Sequence, residues 1–229
     1  MGSGELYVDP KIRRVLVLYG DLLVEGFHSL PITKQLELLA DRLTEAHRRG
    51  NDAVCFQIGS WHSALMGKAD DEILASAFTL DDARMTIARE HGFTDWTAVR
   101  SLADEPSDTE FEDAVSIMMS GDLSSLAALL KHQPRLLTAS SRYGHHATLL
   151  HYVGTNGVES YRQVVPPNLA AITELLLASG ADPQSKADIY GGTTPRELFE
   201  SSNHTFASNV HESVVRVFES YGVRSPSSQ

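Results

Sequence analysis

Histidine is the residue type in this sequence whose placement most strongly suggests chemistry. The chain has ten histidines in 229 residues, and two of them, His145 and His146, are adjacent. Imidazole exchanges protons near neutral pH, so histidines in a cavity can act as acids and bases. A zinc site finds little support, because adjacent side chains point in different directions and no Cys, Asp or Glu stands at a familiar ligand interval. We therefore expect neither a metal nor a cofactor.

Polar residues that would complement these histidines lie in two segments longer than ordinary connections. The first segment, 157–167, contains Tyr161 and Arg162, and the second, 201–209, contains His204. Long loops in compact domains are often functional, and insertions at equivalent positions emerge on one side of a repeat stack. The sequence therefore predicts one pocket with candidate acid–base groups and candidate ligand-binding residues. The acid–base groups are His145, His146, Tyr161 and His204, and the ligand-binding residues are Arg142, Arg162, Gln163 and Asn203.

Each group has a definite role in such a pocket. The histidines would transfer protons, Tyr161 would donate a hydrogen bond, and Arg162 would hold a carboxylate through two parallel hydrogen bonds. Two simpler interpretations stay open. The loops cover the groove without binding anything, and His145 and His146 are solvated surface residues.

The elements that must position these residues are short helices with regular punctuation. Residues 170–183 read AAITELLLASGADP, an apolar helix followed by Gly-Ala-Asp, and Thr194-Pro195 opens another helix. Proline is tolerated in a first helical turn because its missing N–H would have no partner there. Thr148 begins a similar unit 46 positions before Thr194. Three helix pairs fit residues 111–223.

Thr148-Leu149-Leu150-His151 resembles the Thr-Pro-Leu-His signature of ankyrin repeats, and the Gly-Ala-Asp ending is typical of the same family. The ankyrin period is about 33 residues, and the segment 157–167 supplies most of the surplus. The resemblance implies an all-α solenoid of about three stacked helix pairs over 106–229, with insertions near 157–167 and 201–209. It also implies a concave surface that binds protein, and a His151 that ties its own turn together through hydrogen bonds.

Residues 1–105 show helical spacing without strand alternation, and we predict a separate helical domain there. Apolar residues recur every three or four positions over Lys11–Phe27 and again over Thr33–Arg49. The segment Leu80–Val99 resembles a module that precedes ankyrin repeats in bacterial proteins, which implies a bacterial source but no activity. Shorter helices are predicted over Asp52–Met66, Asp70–Ala77, Asp82–His91 and Asp95–Leu102.

Composition excludes several classes of function. The chain is acidic, with a formal net charge of −11, and neither half forms a basic patch, so nucleic-acid binding is not expected. No segment approaches the roughly 20 apolar residues of a membrane span, and we expect no signal peptide. Cys55 is the only cysteine, which excludes an internal disulfide and favours a reducing compartment. We expect a soluble, cytoplasmic protein.

Two functions stay open on these grounds. In the first, an acidic repeat stack presents its concave surface to another protein and the histidines are incidental. In the second, the inserted loops enclose a small molecule, and the chain is a binding protein or an enzyme with metal-independent acid–base chemistry by His and Tyr. A deep cavity among His146, Tyr161, Arg162 and His204 would favour the second.

Overall fold

The computed structural model describes residues 5–225, and helices make up most of that range. The predicted all-α class is confirmed at this level. The described chain divides into two compact units. The N-terminal unit consists of residues 10–109 together with 159–161, and the C-terminal unit consists of residues 5–9, 110–158 and 162–225.

The N-terminal unit is a layer of helices around α2 (Ile32–Arg48) and α5 (Leu80–Glu90), which pack along each other. Helix α3 (Cys55–Trp61) packs against α5, and α1 (Pro10–Tyr19) packs against α2 and α3. Leu36, Leu39 and Leu43 of α2 are fully buried, as is Ile87 of α5. The predicted apolar stripe of α2 is therefore the centre of the core. The unit also contains the helices α4 (Asp70–Ala75) and α6 (Trp96–Ser101).

The first helix is shorter than the sequence predicts, because α1 ends at Tyr19 instead of continuing to Phe27. Arg42 of α2 donates to the carbonyl oxygen of Leu18 at 2.7 Å and holds the Asp21 carboxylate with two further bonds of 2.6 and 2.7 Å. The hydrogen bond from Arg42 lowers the pKa of Asp21 below its ordinary value. The bond from Arg42 satisfies the carbonyl oxygen of Leu18, which has no partner within α1 because it lies in the last turn. The helix therefore ends there, and the chain continues as a turn.

A chain of buried polar groups crosses the core of the N-terminal unit. The Tyr19 hydroxyl donates to Oε1 of Gln57 at 2.8 Å, and Nε2 of Gln57 donates to Glu90 at 2.6 Å. The other carboxylate oxygen of Glu90 accepts the backbone N–H of Ser160 at 2.8 Å. Burial disfavours the charged form and raises the pKa of Glu90 to about 7, although these hydrogen bonds act in the opposite direction.

The C-terminal unit repeats one packing arrangement. Helix α9 (Leu149–Tyr152) packs against α11 (Pro195–Glu200), and α10 (Leu169–Ala178) packs against both α8 (Leu123–His132) and α13 (His211–Ser220). The chain also forms α7 (Thr109–Ser120), α12 (Asn203–Ala207) and two short strands, β1 (Tyr7–Val8) and β2 (Val164–Val165). The strands pair antiparallel, with Tyr7 opposite Val165 and Val8 opposite Val164.

Two hairpin-like loops lie in the C-terminal unit, one directly before α9 and the other directly before α11. In the first, Ser140 pairs with Thr148, and in the second, Ala187 pairs with Thr193, each as an isolated antiparallel bridge. The backbone N–H of Asp188 donates to the carbonyl oxygen of His145 at 2.7 Å. The two loops are therefore hydrogen-bonded neighbours.

The segment 201–209, which the sequence predicts as a long loop, contains α12. The reason lies in one fully buried residue, Thr205. Its hydroxyl donates to the carbonyl oxygen of Ser202 at 3.1 Å and lies 3.0 Å from Nδ1 of His211. The Ser- and Asn-rich composition is typical of a loop, but this anchor fixes one helical turn.

The buried carboxyl group of Glu90 makes the stability of the N-terminal unit depend on pH. The folded state keeps this proton up to about pH 7, whereas an unfolded glutamate releases it near 4.5. The free energy of unfolding should therefore fall by about 3 kcal/mol as pH rises through that window. Glu90→Gln should lose this dependence, because an amide does not titrate. The variant should still fold, since a rotated Gln57 amide can accept a hydrogen bond from the new amide. Urea unfolding at several pH values, followed by the fluorescence of Trp61 and Trp96, measures the difference.

The matched control is Glu72→Gln, a carboxylate at the start of α4 whose pKa is lowered through the backbone N–H of Ala69. That variant should keep the decline between pH 4.5 and 7. A decline that persists unchanged in Glu90→Gln would contradict the assignment.

Candidate functional site

The structure separates the predicted site residues by burial rather than gathering them all in one pocket. Arg142, His146 and Asn203 are exposed, and His204 is half-buried. The other four are buried, namely His145, Tyr161, Arg162 and Gln163.

Arg162 and Gln163 use their polar groups inside the C-terminal unit. Nη1 of Arg162 donates to the carboxylate of Glu112 on α7 at 2.5 Å, and both side chains are almost completely buried. The guanidinium lies 5.8 Å from the centroid of the Tyr152 ring on α9. Nε2 of Gln163 donates to the carbonyl oxygen of Val158 at 2.7 Å. These internal bonds take the place of the ligand contacts that the sequence predicts for both residues.

Tyr161 belongs to the N-terminal unit, whereas His145, His146 and His204 belong to the C-terminal unit. Within the N-terminal unit its ring lies near that of His91, with centroids 6.4 Å apart. It follows Ser160, whose backbone N–H is held by Glu90. The environment of Tyr161 is therefore a packed core.

His145 and His146, adjacent in sequence, have opposite environments. The ring of His145 is 1% exposed, lies against the rings of Tyr143 and Tyr152, and accepts the backbone N–H of Ala147 through Nδ1. The side chain of His146 is 57% exposed, and its Nδ1 lies 2.8 Å from a carboxylate oxygen of Asp188. The expectation that both are solvated is therefore wrong for His145.

The cause of this difference is a two-residue alternation along each hairpin. In the first hairpin Ser141, Tyr143, His145 and Ala147 are buried, while Arg142 and His146 are exposed. In the second, Ala187 and Ile189 are buried, while Asp188 and Tyr190 are exposed. Successive side chains of an extended segment point to opposite faces. We name the exposed set, Arg142, His146, Asp188 and Tyr190, the hairpin-tip surface.

His151 links the end of the first hairpin to the end of the second. Its Nδ1 accepts from the hydroxyl and the backbone N–H of Thr148, at 2.8 and 3.2 Å. Its Nε2 lies 3.1 Å from the carbonyl oxygen of Thr193, which can only accept, so the proton is on Nε2. Burial lowers the pKa of His151 to about 4, so the neutral ring persists at pH 7. The predicted hydrogen bond within its own turn is present.

Tyr190 is the most prominent member of the hairpin-tip surface. Its side chain is 61% exposed, and its hydroxyl donates to Oδ1 of Asn156 at 3.1 Å. Burial of the hydroxyl end raises the pKa of the phenol above its ordinary value. Gly157 lies beneath the ring, where an added Cβ would meet Ile189 at 2.5 Å and Tyr190 at 3.3 Å. The Tyr190 ring thus packs over Gly157 on one side and is open to solvent on the other.

Two residues of this surface have a left-handed backbone. The φ angle is 51° at His146 and 50° at Tyr190. Gly192, 46 positions after His146 and thus at the same place in the next hairpin, has φ 103°. Glycine adopts such angles without steric cost, whereas other residues lose about 1 kcal/mol or more. Strain of this kind is concentrated at functional sites.

His204 and Asn203 lie at the start of α12. Asn203 is exposed, and burial lowers the pKa of the half-buried His204, partly offset by the charge of Asp9. Asp188 and Tyr190 are not among the residues that the sequence predicts for the site. The signal that could have found them is the alternation of small or apolar residues with polar or aromatic ones over 187–190.

Within residues 5–225, no three His, Cys, Asp or Glu side chains are arranged to hold a metal ion. In the same range, each helix is too short or too polar to cross a bilayer. Comparisons with protein-family models, curated proteins and solved structures find no match for this chain.

The two histidines should respond differently to removal. His145→Ala should lower the free energy of unfolding by about 2–4 kcal/mol, because it leaves a cavity and an unpaired backbone N–H. His146→Gly should change it by no more than about 0.5 kcal/mol, since relief of the left-handed backbone offsets the lost contact with Asp188 and the entropy of glycine. Urea unfolding followed by circular dichroism measures both. Equal losses in the two variants would contradict the described hairpin.

Proposed function

We propose that the C-terminal unit is an ankyrin-type repeat stack that binds another protein through its hairpin-tip surface. The observation that carries the proposal is Tyr190, an exposed aromatic residue at a backbone position where glycine would be more stable. Its hydroxyl is bonded to Asn156 and its ring lies over Gly157, yet most of the residue stays exposed, which leaves the ring available to a partner.

The packing within the unit supports the repeat arrangement. The first helices of successive pairs, α9 and α11, pack against each other, and so do the second helices, α8, α10 and α13. Thr148 and Thr194 begin equivalent helices, and Thr194 forms a capping box with Glu197. Stacks of this kind bury their helices against neighbouring repeats and leave the loops free.

Burial of the insertion favours a protein partner over an enclosed small molecule. The four residues of α9 are at most 1% exposed, so this helix offers no open surface to a ligand. The groups that would have held a ligand, those of Arg162 and Gln163, are bonded within the unit. The remaining polar residues lie on an open surface, which suits a broad partner better than a small ligand.

The composition of the hairpin-tip surface suits a protein interface. Tyrosine and arginine are enriched among the residues that dominate binding energy. Here two hairpins joined by a hydrogen bond carry an exposed tyrosine, arginine, histidine and aspartate. His146 is bonded to Asp188 and Tyr190 to Asn156, and side chains held in this way lose less entropy on binding.

The proposal includes a reducing, cytoplasmic location, which the single cysteine of the chain favours. The thiol of Cys55 is buried at the start of α3, and burial raises its pKa to about 11. Such a thiol remains protonated and unreactive at neutral pH.

Site-specific photo-crosslinking tests the proposal with no assumption about the identity of the partner. A benzoylphenylalanine at position 190 should form a crosslinked product with a second protein in cells that express the chain. The same group at Tyr221 is the control, because that exposed aromatic residue lies at the end of α13 and is not a member of the hairpin-tip surface. Products of equal size and yield at both positions, or none at 190, would contradict the proposal.

The partner identified in this way allows a quantitative test. Tyr190→Ala should weaken its binding at least tenfold, as expected for a central aromatic contact. Tyr221→Ala should leave the affinity unchanged. Isothermal titration calorimetry measures both, and an unchanged affinity in Tyr190→Ala would remove Tyr190 from the interface.

A further inference from the structure

The N-terminal unit has an open groove of about 880 Å³ between α1 and α2. Helix α1 contributes Arg13, Arg14 and Val17, which lie on one stripe of the helix, and Asp21 lies in the turn that follows it. The groove ends at the turn that carries Asp52 and Ala53. We name this feature the α1–α2 groove.

The facing side of the groove is a second helical stripe. Helix α2 contributes Arg42, Glu45 and Ala46, at the spacing of three and four that places side chains on one face, and Arg49 caps the C-terminal end of the helix. Two neighbouring helices thus turn matching stripes toward an unfilled channel. This is the arrangement that receives a third helix in helix-in-groove recognition.

Each acidic side chain that lines the groove is already paired with a neighbouring arginine. Asp21 is held by Arg42, and Asp52 lies 2.8 Å from Arg14. Glu45 is shared between Arg48 and Arg49, and the hydrogen bond from Arg48 lowers the pKa of that carboxyl to about 2.

The excess positive charge belongs to Arg13. It is exposed, and among residues 5–225 it makes no hydrogen bond or ion pair. Arg14 and Arg49 each have N–H groups beyond those used by their acidic partners, because a guanidinium carries five. In a chain of net charge −11, the groove is a local site for carboxylates.

An apolar strip lies between these cations. Val17 is 79% exposed in the middle of α1, and the buried Leu18, Ala46 and Ala53 also line the groove. A fully exposed valine on a helix is ordinary in isolation. Here it projects into a groove with cationic sides, so the surface matches a ligand that is apolar along one line and acidic on both flanks.

We propose that the α1–α2 groove binds an acidic amphipathic helix of another protein. A helix about 10 Å wide, sunk to half its depth over about 15 Å, occupies roughly 600 Å³, which fits the available volume. Its apolar residues would cover Val17, and its flanking carboxylates would meet Arg13, Arg14 and Arg49. This site is separate from the hairpin-tip surface and does not depend on it.

A designed peptide provides the test. The probe is a fluorescein-labelled 15-residue helix with leucines on one face and glutamates on both flanks, about four turns long. Fluorescence anisotropy with the full chain should show saturable binding in a 1:1 ratio that weakens as salt rises. The control peptide carries lysine in place of every glutamate and should not bind.

Variants locate the binding. Arg13→Glu and Val17→Asp should each weaken binding about tenfold or more, because one reverses the free charge and the other interrupts the apolar strip. Both positions are exposed, so circular dichroism should show an unchanged fold. Arg100→Glu is the matched control, since it makes the same charge change at an exposed position of α6 outside the groove.

Several results would overturn the proposal. These are absence of saturable binding to the wild-type chain, equal binding of the lysine peptide, and equal effects of Arg13→Glu and Arg100→Glu. Complete competition by millimolar inorganic phosphate would identify a site for small anions instead. Self-association in sedimentation that Arg13→Glu abolishes would assign the groove to a second copy of the chain.

Discussion

The buried ion pair between Arg162 and Glu112 is the interaction on which the arrangement of the C-terminal unit depends. Two charges removed from water are costly, and their attraction compensates only when the geometry is close. Here the bond is 2.5 Å long, and the guanidinium also lies near the ring of Tyr152. Removing one partner typically costs about 3–5 kcal/mol, because the other charge remains buried. The insertion cannot leave α7 without that cost.

This constraint decides which residues of the C-terminal unit stay exposed. With the insertion held by Arg162, α9 has no exposed face, and two residues that the sequence predicts as ligand-binding are part of the core. The hairpins remain, and their alternation sends His145 inward and His146 outward. His151 joins Thr148 to Thr193, so one buried imidazole connects the ends of the two hairpins.

Sequence periodicity predicted the helices whose stability comes from their own apolar stripes. The predicted Thr33–Arg49 and the observed Ile32–Arg48 differ by one residue at each end, and the predicted Asp82–His91 corresponds to the observed Leu80–Glu90. Features that depend on distant partners were not predictable. The end of α1 depends on Arg42, the turn of α12 on His211, and the pairing of β1 with β2 on residues far apart in sequence. A two-residue strand is too short to show alternation.

The candidate site shows the same division. Length marked 157–167 as a candidate functional segment, but length does not distinguish a ligand-binding loop from a packed one. The partner of Arg162 lies 50 positions earlier, at Glu112, and no local pattern connects them. Conversely, Tyr190 is unremarkable by composition and becomes significant through its backbone angle and exposure.

Hydrogen exchange of the full chain, followed by mass spectrometry, tests the structural role of the insertion most directly. Because buried, bonded segments exchange slowly, peptides over 158–165 should exchange as slowly as α10 and much more slowly than the exposed loop 182–186. In Arg162→Met, protection of 158–165 should fall while that of α13 stays unchanged. Exchange over 158–165 as fast as that of 182–186 in the wild-type chain would contradict the account, because the segment would then be a free loop available to a ligand.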